Sequence, residues 1–198
     1  DTSFDSTVTG TDAVGNPFTA TTTSTHTVDT SAAATIAVNG ITPDDIVDAT
    51  EAGTTITVTG SVGGDAAVGD DVTFTINGTD YSGKVLAGNT FSIDVAGADL
   101  AADTSFDATV AGSDDAGNPF TATTTSTHMV PPSIDLDGDV TGTGYVTNYV
   151  EGGSGVSIAD SDITITDVDS SNLQSATIIL TNAEAGDLLN VGTLPSGI

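Results

Sequence analysis

Alternation of apolar and polar residues dominates the chain. Val72, Phe74 and Ile76 point one way and Thr73 and Thr75 the other, and Phe91, Ile93 and Val95 repeat the pattern. A period of two is the signature of strands buried on one face. It predicts seven strands between residues 32 and 130: Thr35–Asn39, Thr54–Val62, Asp71–Asn77, Thr79–Leu86, Thr90–Val95, Thr104–Gly112 and Pro119–Met129. Asn77-Gly78, set between two of these runs, predicts a type I′ hairpin.

Ahead of them, Ser3–Gly10 and Pro17–Val28 predict two more strands, and the two segments are copies. Asp1–Val28 and Asp103–Val130 lie 102 residues apart and share 22 of 28 residues. A period this long suits a whole small domain rather than a solenoid turn. About seven short strands per period read as an immunoglobulin-like sandwich. The cysteine pair and tryptophan of antibody domains are missing, so only the architecture is predicted. Residues 1–29 are then expected to be the last strands of a preceding repeat plus a linker, and residues 30–130 a complete repeat.

The pattern changes after Val130. Pro131-Pro132 predicts a stiff, extended linker. A hairpin-like stretch Val140–Val150 follows, then strands at Asp162–Thr166 and Thr177–Thr181, and the sequence reaches Pro195–Ile198 with about half the strands a sandwich needs.

Charge sharpens the picture. The 198 residues carry 28 acids against one base, a net charge of −27. Apart from Glu51, Glu151 and Glu184 every acid is aspartate, the turn-favouring carboxylate common in calcium loops. Such a polyanion argues against nucleic acid and anionic membrane surfaces. Hydrophobic residues at 37% are enough for a core. With no cysteine, disulfides cannot stabilise the fold, and bound calcium is the obvious alternative staple.

The unit ITPDDIVDATEAG, followed by TVTGSVGG and the D-x-AGNPF turn, resembles the bacterial immunoglobulin-like repeats of giant secreted RTX-type adhesins, those of biofilm and ice-binding proteins. Residues 131–198 are similar to the start of a cadherin-like domain in the same proteins. Tyr149-Val150-Glu151 stands where cadherins place a calcium-ligating glutamate, and Asp167-Val168-Asp169 resembles their D-x-D ligand pair. The resemblance implies a calcium-rigidified stalk at the bacterial cell surface that holds ligand-binding domains away from the cell. Its partners would be neighbouring repeats of the same chain and an inserted or following ligand-binding domain.

Strand placement sorts the acids between the two ends of the sandwich. One end is expected to gather Asp29, Asp65, Asp70 and Asp71 with Asp114, Asp115 and Asn118. The other gathers Asp44, Asp45, Asp48 and Glu51 with Asp99 and Asp103. Calcium takes six to eight oxygens, so two or three such loops supply a site. Pro131 stands where the first junction has Asp29, so an ion at the second junction would draw on Asp135, Glu151 or Asp169. Asp135-x-Asp137-Gly-Asp139 fails as an EF-hand, because its glycine falls two positions early and the twelfth residue is Val146. His26 and His128 read as ordinary strand residues, and Lys84 as half of a surface ion pair.

No nucleophile elbow, catalytic triad order, phosphate loop or zinc spacing is present. Catalytic sites are rarely copied every hundred residues, so no enzyme is expected. A stalk segment is the first reading. A carbohydrate- or protein-binding module after Pro132 is the alternative, with Tyr145 and Tyr149 as its aromatics but placed on a core-facing strand. Self-association between cells is a third.

Overall fold

The two-residue periodicity becomes nine strands ahead of Val130 in the computed structural model, which describes residues 1–181 and 183–190. Strands β1 (Ser3–Thr11) and β2 (Pro17–Thr25) form a hairpin of their own. Strands β3 (Ala34–Val38), β4 (Thr55–Gly64), β5 (Asp71–Ile76), β6 (Thr79–Lys84), β7 (Thr90–Ala96), β8 (Ser105–Ser113) and β9 (Pro119–Thr127) form the sandwich. One sheet has the order β3-β4-β7 and the other β6-β5-β8-β9.

The tight turn explains why β6 stays beside β5 instead of crossing to the first sheet. Asn77 and Gly78 both hold positive φ, 49° and 77°, and a two-residue primed turn leaves no chain for a crossover. Between the sheets lie the alternating apolar residues, with Val58, Val72, Ile76, Phe91, Val95 and Val110 all but fully enclosed. The burial alternates residue by residue along β5 and β7, as the sequence pattern predicts.

Two short helices complete one end. In α1 (Ala49–Ala52), Asp48 Oδ1 accepts from the Thr50 and Glu51 amides at 2.8 and 2.9 Å, and Glu51 Oε2 accepts from the Asp48 amide at 3.1 Å. This is a reciprocal capping box, and its Asp-x-x-Glu spacing was readable in the sequence. Helix α2 (Gly97–Ala102) buries Leu100. Its first residue is a glycine, Gly97, where a Cβ would overlap the Glu51 carbonyl oxygen of α1.

The repeat's two copies differ in surroundings. β1 pairs with β2 from Ser3↔Thr25 to Thr11↔Pro17, the register of Ser105↔Thr127 to Ser113↔Pro119 in β8–β9. Phe4, Val8 and Phe18 are 59%, 58% and 52% exposed, whereas their equivalents Phe106, Val110 and Phe120 are 4%, 0% and 6%. His26 is exposed, but His128 is buried with its Nε2 2.8 Å from the Leu100 carbonyl oxygen.

After Val130 the regular structure is slight. β10 (Ser133–Asp135) pairs antiparallel with β11 (Thr164–Thr166). Val140–Val150 forms no strand, since the extended run breaks at Gly142 (φ 117°) and the Leu136 amide donates to the Thr143 carbonyl. Tyr149 is therefore 58% exposed instead of facing a core. Thr177–Thr181 also forms no strand: its β-branched residues have the propensity, but among the described residues no strand supplies the ladder. Asn182 and residues 191–198, with the Pro195–Ile198 end, lie outside the described residues.

Candidate metal centre

The chain has almost no positive charge with which to neutralise its acids. Lys84 is the only lysine or arginine, and its Nζ pairs with Asp71 Oδ1 at 2.5 Å on the exposed face of β5–β6. Where carboxylates converge, a counter-charge has to come from solution.

They converge at one place among the described residues. Asp137, Asp139 and Asp160 each bring a carboxylate oxygen within 4.8 Å of the others. Two loops build the site. One leaves β10, where Asp135 Oδ1 accepts from the Asp137 amide at 3.1 Å. The other leads into β11, and the Asp160 amide donates to the Leu136 carbonyl at 2.8 Å. Gly138 lets them approach: its amide donates to Asp162 Oδ1 at 3.2 Å, and a Cβ would stand 2.9 Å from the Asp162 carbonyl oxygen.

Asp137 is the half-buried member. Its Oδ1 is enclosed and has no hydrogen-bond partner. Burial raises its pKa, and the neighbouring Asp139, Asp160 and Asp162 raise it further. An orphaned oxygen among carboxylates, with no nitrogen or sulfur ligand, fits a hard divalent cation such as calcium. A bound cation would turn the repulsion among these carboxylates into attraction.

The acids expected from sequence are placed as follows. At one end of the sandwich, Asp65 Oδ2 accepts from the Ala33 amide at 2.8 Å, tying the incoming chain to the turn after β4. In the β8–β9 turn, Asp114 accepts from the amide and the side chain of Asn118, both at 2.8 Å, and the Asn118 side chain is the first cause of its lowered pKa. Asp12 and Asn16 make the same turn in the first copy, with Asp12 lowered chiefly by the Asn16 amide. Asp115 is exposed beside it, and Asp29 Oδ1 accepts from the Ser31 amide at 3.3 Å.

At the other end, Asp44 accepts from the Thr42 hydroxyl at 2.9 Å and the Ile46 amide at 3.3 Å, which lower its pKa in that order. Asp45 Oδ1 accepts from the Ile41 amide at 2.9 Å. Asp48 and Glu51 cap α1. Beyond Val130, Asp167 Oδ1 accepts from the Ser170 amide at 3.2 Å, Glu151 is exposed in a turn, and Asp169 Oδ2 accepts from the Val130 amide at 2.9 Å. That bond fastens the β11 loop to the end of the sandwich. It lies beside an apolar cavity of about 340 Å³ lined by Val47, Ala52, Ala101, Val130, Pro131 and Val168.

Within the described residues the structure brings none of the twelve acids among these into a metal-sized group of three carboxylates. The trio it does assemble includes Asp137 and Asp139 from the Asp-x-Asp-Gly-Asp run. EF-hand spacing was the wrong template for that run. Its third member, Asp160, comes from 21 residues beyond Asp139, a pairing no local motif announces.

Neither a protein-family model nor a curated protein matches the chain. Solved structures do. One, from work on host cell surface retention of a 1.5-MDa bacterial ice-binding adhesin, is 55% identical over 66% of this chain and 42% of its own, with a TM-score of 0.55. A second, a Ca2+-stabilized adhesin with which an Antarctic bacterium reaches out and binds ice, is 49% identical over 69% of this chain and 35% of its own, with a TM-score of 0.53. The chain thus spans less than half the length of either. The third is a bacterial immunoglobulin-like domain of the M. primoryensis ice-binding adhesin, 51% identical over 52% of this chain and 100% of that domain, with a TM-score of 0.48. On sequence identity across that entire domain, and on the antiparallel sandwich of residues 34–127, the chain belongs to the bacterial immunoglobulin-like repeats of large adhesins.

Proposed function

We propose that the chain is a calcium-stiffened segment of the stalk of a bacterial cell-surface adhesin, holding ligand-binding regions of a larger protein away from the cell. The observation that carries this reading is its 49% identity over 69% of its length to the Ca2+-stabilized adhesin. In this reading residues 1–29 are the closing strands of a preceding repeat with a linker, 30–130 a complete repeat and 131–198 the start of a cadherin-like module. Relatives that are structural domains of adhesins favour a mechanical role over catalysis.

Calcium would be held first by Asp137, Asp139 and Asp160, where it would replace mutual repulsion by shared attraction and fix the loops that bear β10 and β11. The end acids Asp29, Asp65, Asp114, Asp115 and Asn118, and Asp44, Asp45, Asp48 and Glu51, are proposed as further ligands at the junctions, with Asp135, Glu151, Asp167 and Asp169 beyond Val130. An ionised carboxylate has about four acceptor sites, so one or two hydrogen bonds leave lone pairs for an ion. An ion spanning linker and loop removes hinge freedom, which is what a stalk requires.

Thermal melting with small-angle scattering, in calcium and in excess EGTA, tests the reading. An extended particle with a high Tm in calcium, becoming less stable and more flexible in EGTA, supports it. Indifference of both signals to calcium overturns it.

A further inference from the structure

The tip of the β5–β6 hairpin carries a pattern that turn chemistry accounts for only in part. Asn77-Gly78-Thr79 reads Asn-x-Thr with no proline in the middle, the pattern at which carbohydrate is joined to asparagine in secreted proteins. No other asparagine of the chain has serine or threonine two residues on. Asn39-Gly40 repeats the dipeptide but is followed by Ile41, and Asn16 and Asn118 precede prolines. A type I′ turn calls for Asn-Gly and so explains the first two residues. It places no demand on the hydroxyl of the third.

The structure gives Asn77 what an acceptor needs. Asn77, Gly78 and Thr79 are all exposed, with the described residues on both sides of the sandwich in place. A Cβ on Gly78 would meet nothing within 4 Å, so the space around the tip is open. The side-chain amide also has a hydrogen to spare. It carries two N–H donors, and Asn77 Nδ2 directs one to Asp99 Oδ1 at 3.1 Å. The Asn77 backbone amide is held separately, by Asp103 Oδ2 at 3.0 Å. Replacing the second hydrogen on Nδ2 therefore leaves both bonds in place, and the turn keeps its ties to α2 and the start of β8.

We propose that Asn77 is an N-glycosylation site, taking its sugar from a donor activated as a diphosphate ester. The bond between sugar C1 and the diphosphate oxygen breaks, and the diphosphate leaves with the electron pair. A bond forms from Asn77 Nδ2 to C1, and the proton lost from Nδ2 goes to a base of the transferase. The glycan adds a bulky, solubilising group at the surface. Exposed loop tips with small polar residues are preferred sites of proteolytic nicking, and a glycan on Asn77 covers this one without touching the core. Nothing in the step involves calcium, so its test is separate from that of the stalk reading.

The full-length protein bearing this sequence is isolated from the cells that produce it, and its peptides are mapped by mass spectrometry. The expected result is a sugar mass on the Asn77 peptide and none on the Asn39 peptide. A single monosaccharide identifies a nucleotide-linked donor, and a preassembled oligosaccharide a lipid-linked one. Thr79 is exposed, so substitutions there leave the fold intact. Produced in the same cells, Thr79→Ser should keep the modification. Thr79→Ala, which leaves the Asn77 amide untouched, should lose it. An Asn77 peptide without sugar in the unsubstituted protein, or equal occupancy in Thr79→Ala, overturns the proposal.

Discussion

Tyr81 donates its hydroxyl proton to Asp99 Oδ2 at 2.6 Å, and the Asn77 side chain reaches the other carboxylate oxygen at 3.1 Å, so β6, the β5–β6 turn and α2 are joined through one carboxylate. The Tyr81 hydroxyl, then Asn77 and Thr79, hold the Asp99 pKa below its ordinary value, and the same bond raises that of Tyr81. A depressed carboxylate contributes stability that is present above its unfolded pKa and is lost as pH falls through its folded one. A raised tyrosine contributes stability that is present below its unfolded pKa and is lost as pH rises through its folded one. Urea denaturation across pH should show both slopes, on the acid side below about pH 4 and in alkali above about pH 10, and Tyr81→Phe should shrink both.

Gly60 of β4 lies close against β3 and the core. A Cβ there would overlap the Ala37 carbonyl oxygen and the Phe91 ring, and Phe91 is 1% exposed with no room to give way. Gly60→Ala should therefore destabilise the sandwich by about 1–3 kcal/mol, the usual effect of overpacking. The midpoint of chemical unfolding should fall with the slope unchanged.

Asp48 and Glu51 cap α1 from opposite sides. Asp48→Ala should lower stability by about 1 kcal/mol, as the loss of an N-cap carboxylate does. That loss does not depend on an ion, so it should persist in EGTA. A cost that appears only in calcium would assign Asp48 to a metal and not to the helix.

The sandwich was legible because burial on one face imposes a period of two, and β5 and β7 keep it without exception. The loop ends followed from strand order: Asp65, Asp70 and the Asp114 turn do share one end, and Asp99 and Asp103 meet Asn77 at the other. The helices were missed because α1 spans four residues, too few for any apolar periodicity, although its capping box was present. Beyond Val130 the readings fared worse. Val140–Val150 and Thr177–Thr181 have strand-like composition, but a strand exists only where a partner supplies hydrogen bonds. The Asp137–Asp139–Asp160 trio depends on two loops meeting, which spacing along the chain does not encode.

The raised pKa of Asp137 gives the metal centre a distinct pH signature. Burial, followed by Asp139, Asp160 and Asp162, raises its pKa above the ordinary carboxylate value. Without a cation, the folded loops bind this proton more tightly than the unfolded chain does. The contribution of Asp137 to stability is then fully present below its unfolded pKa and is lost as pH rises through the folded one. A cation needs the ionised form, so its binding displaces the proton and weakens as pH falls. The β10–β11 region should therefore respond most to calcium at neutral pH and little below about pH 4. Asp137→Asn keeps the shape and removes the ionisation. It should reduce calcium binding at neutral pH, flatten the pH dependence, and leave the region less sensitive to EGTA, as followed by calorimetric titration and amide exchange of residues 133–166. Calcium affinity unchanged by Asp137→Asn, with the same pH profile, would place the ion elsewhere.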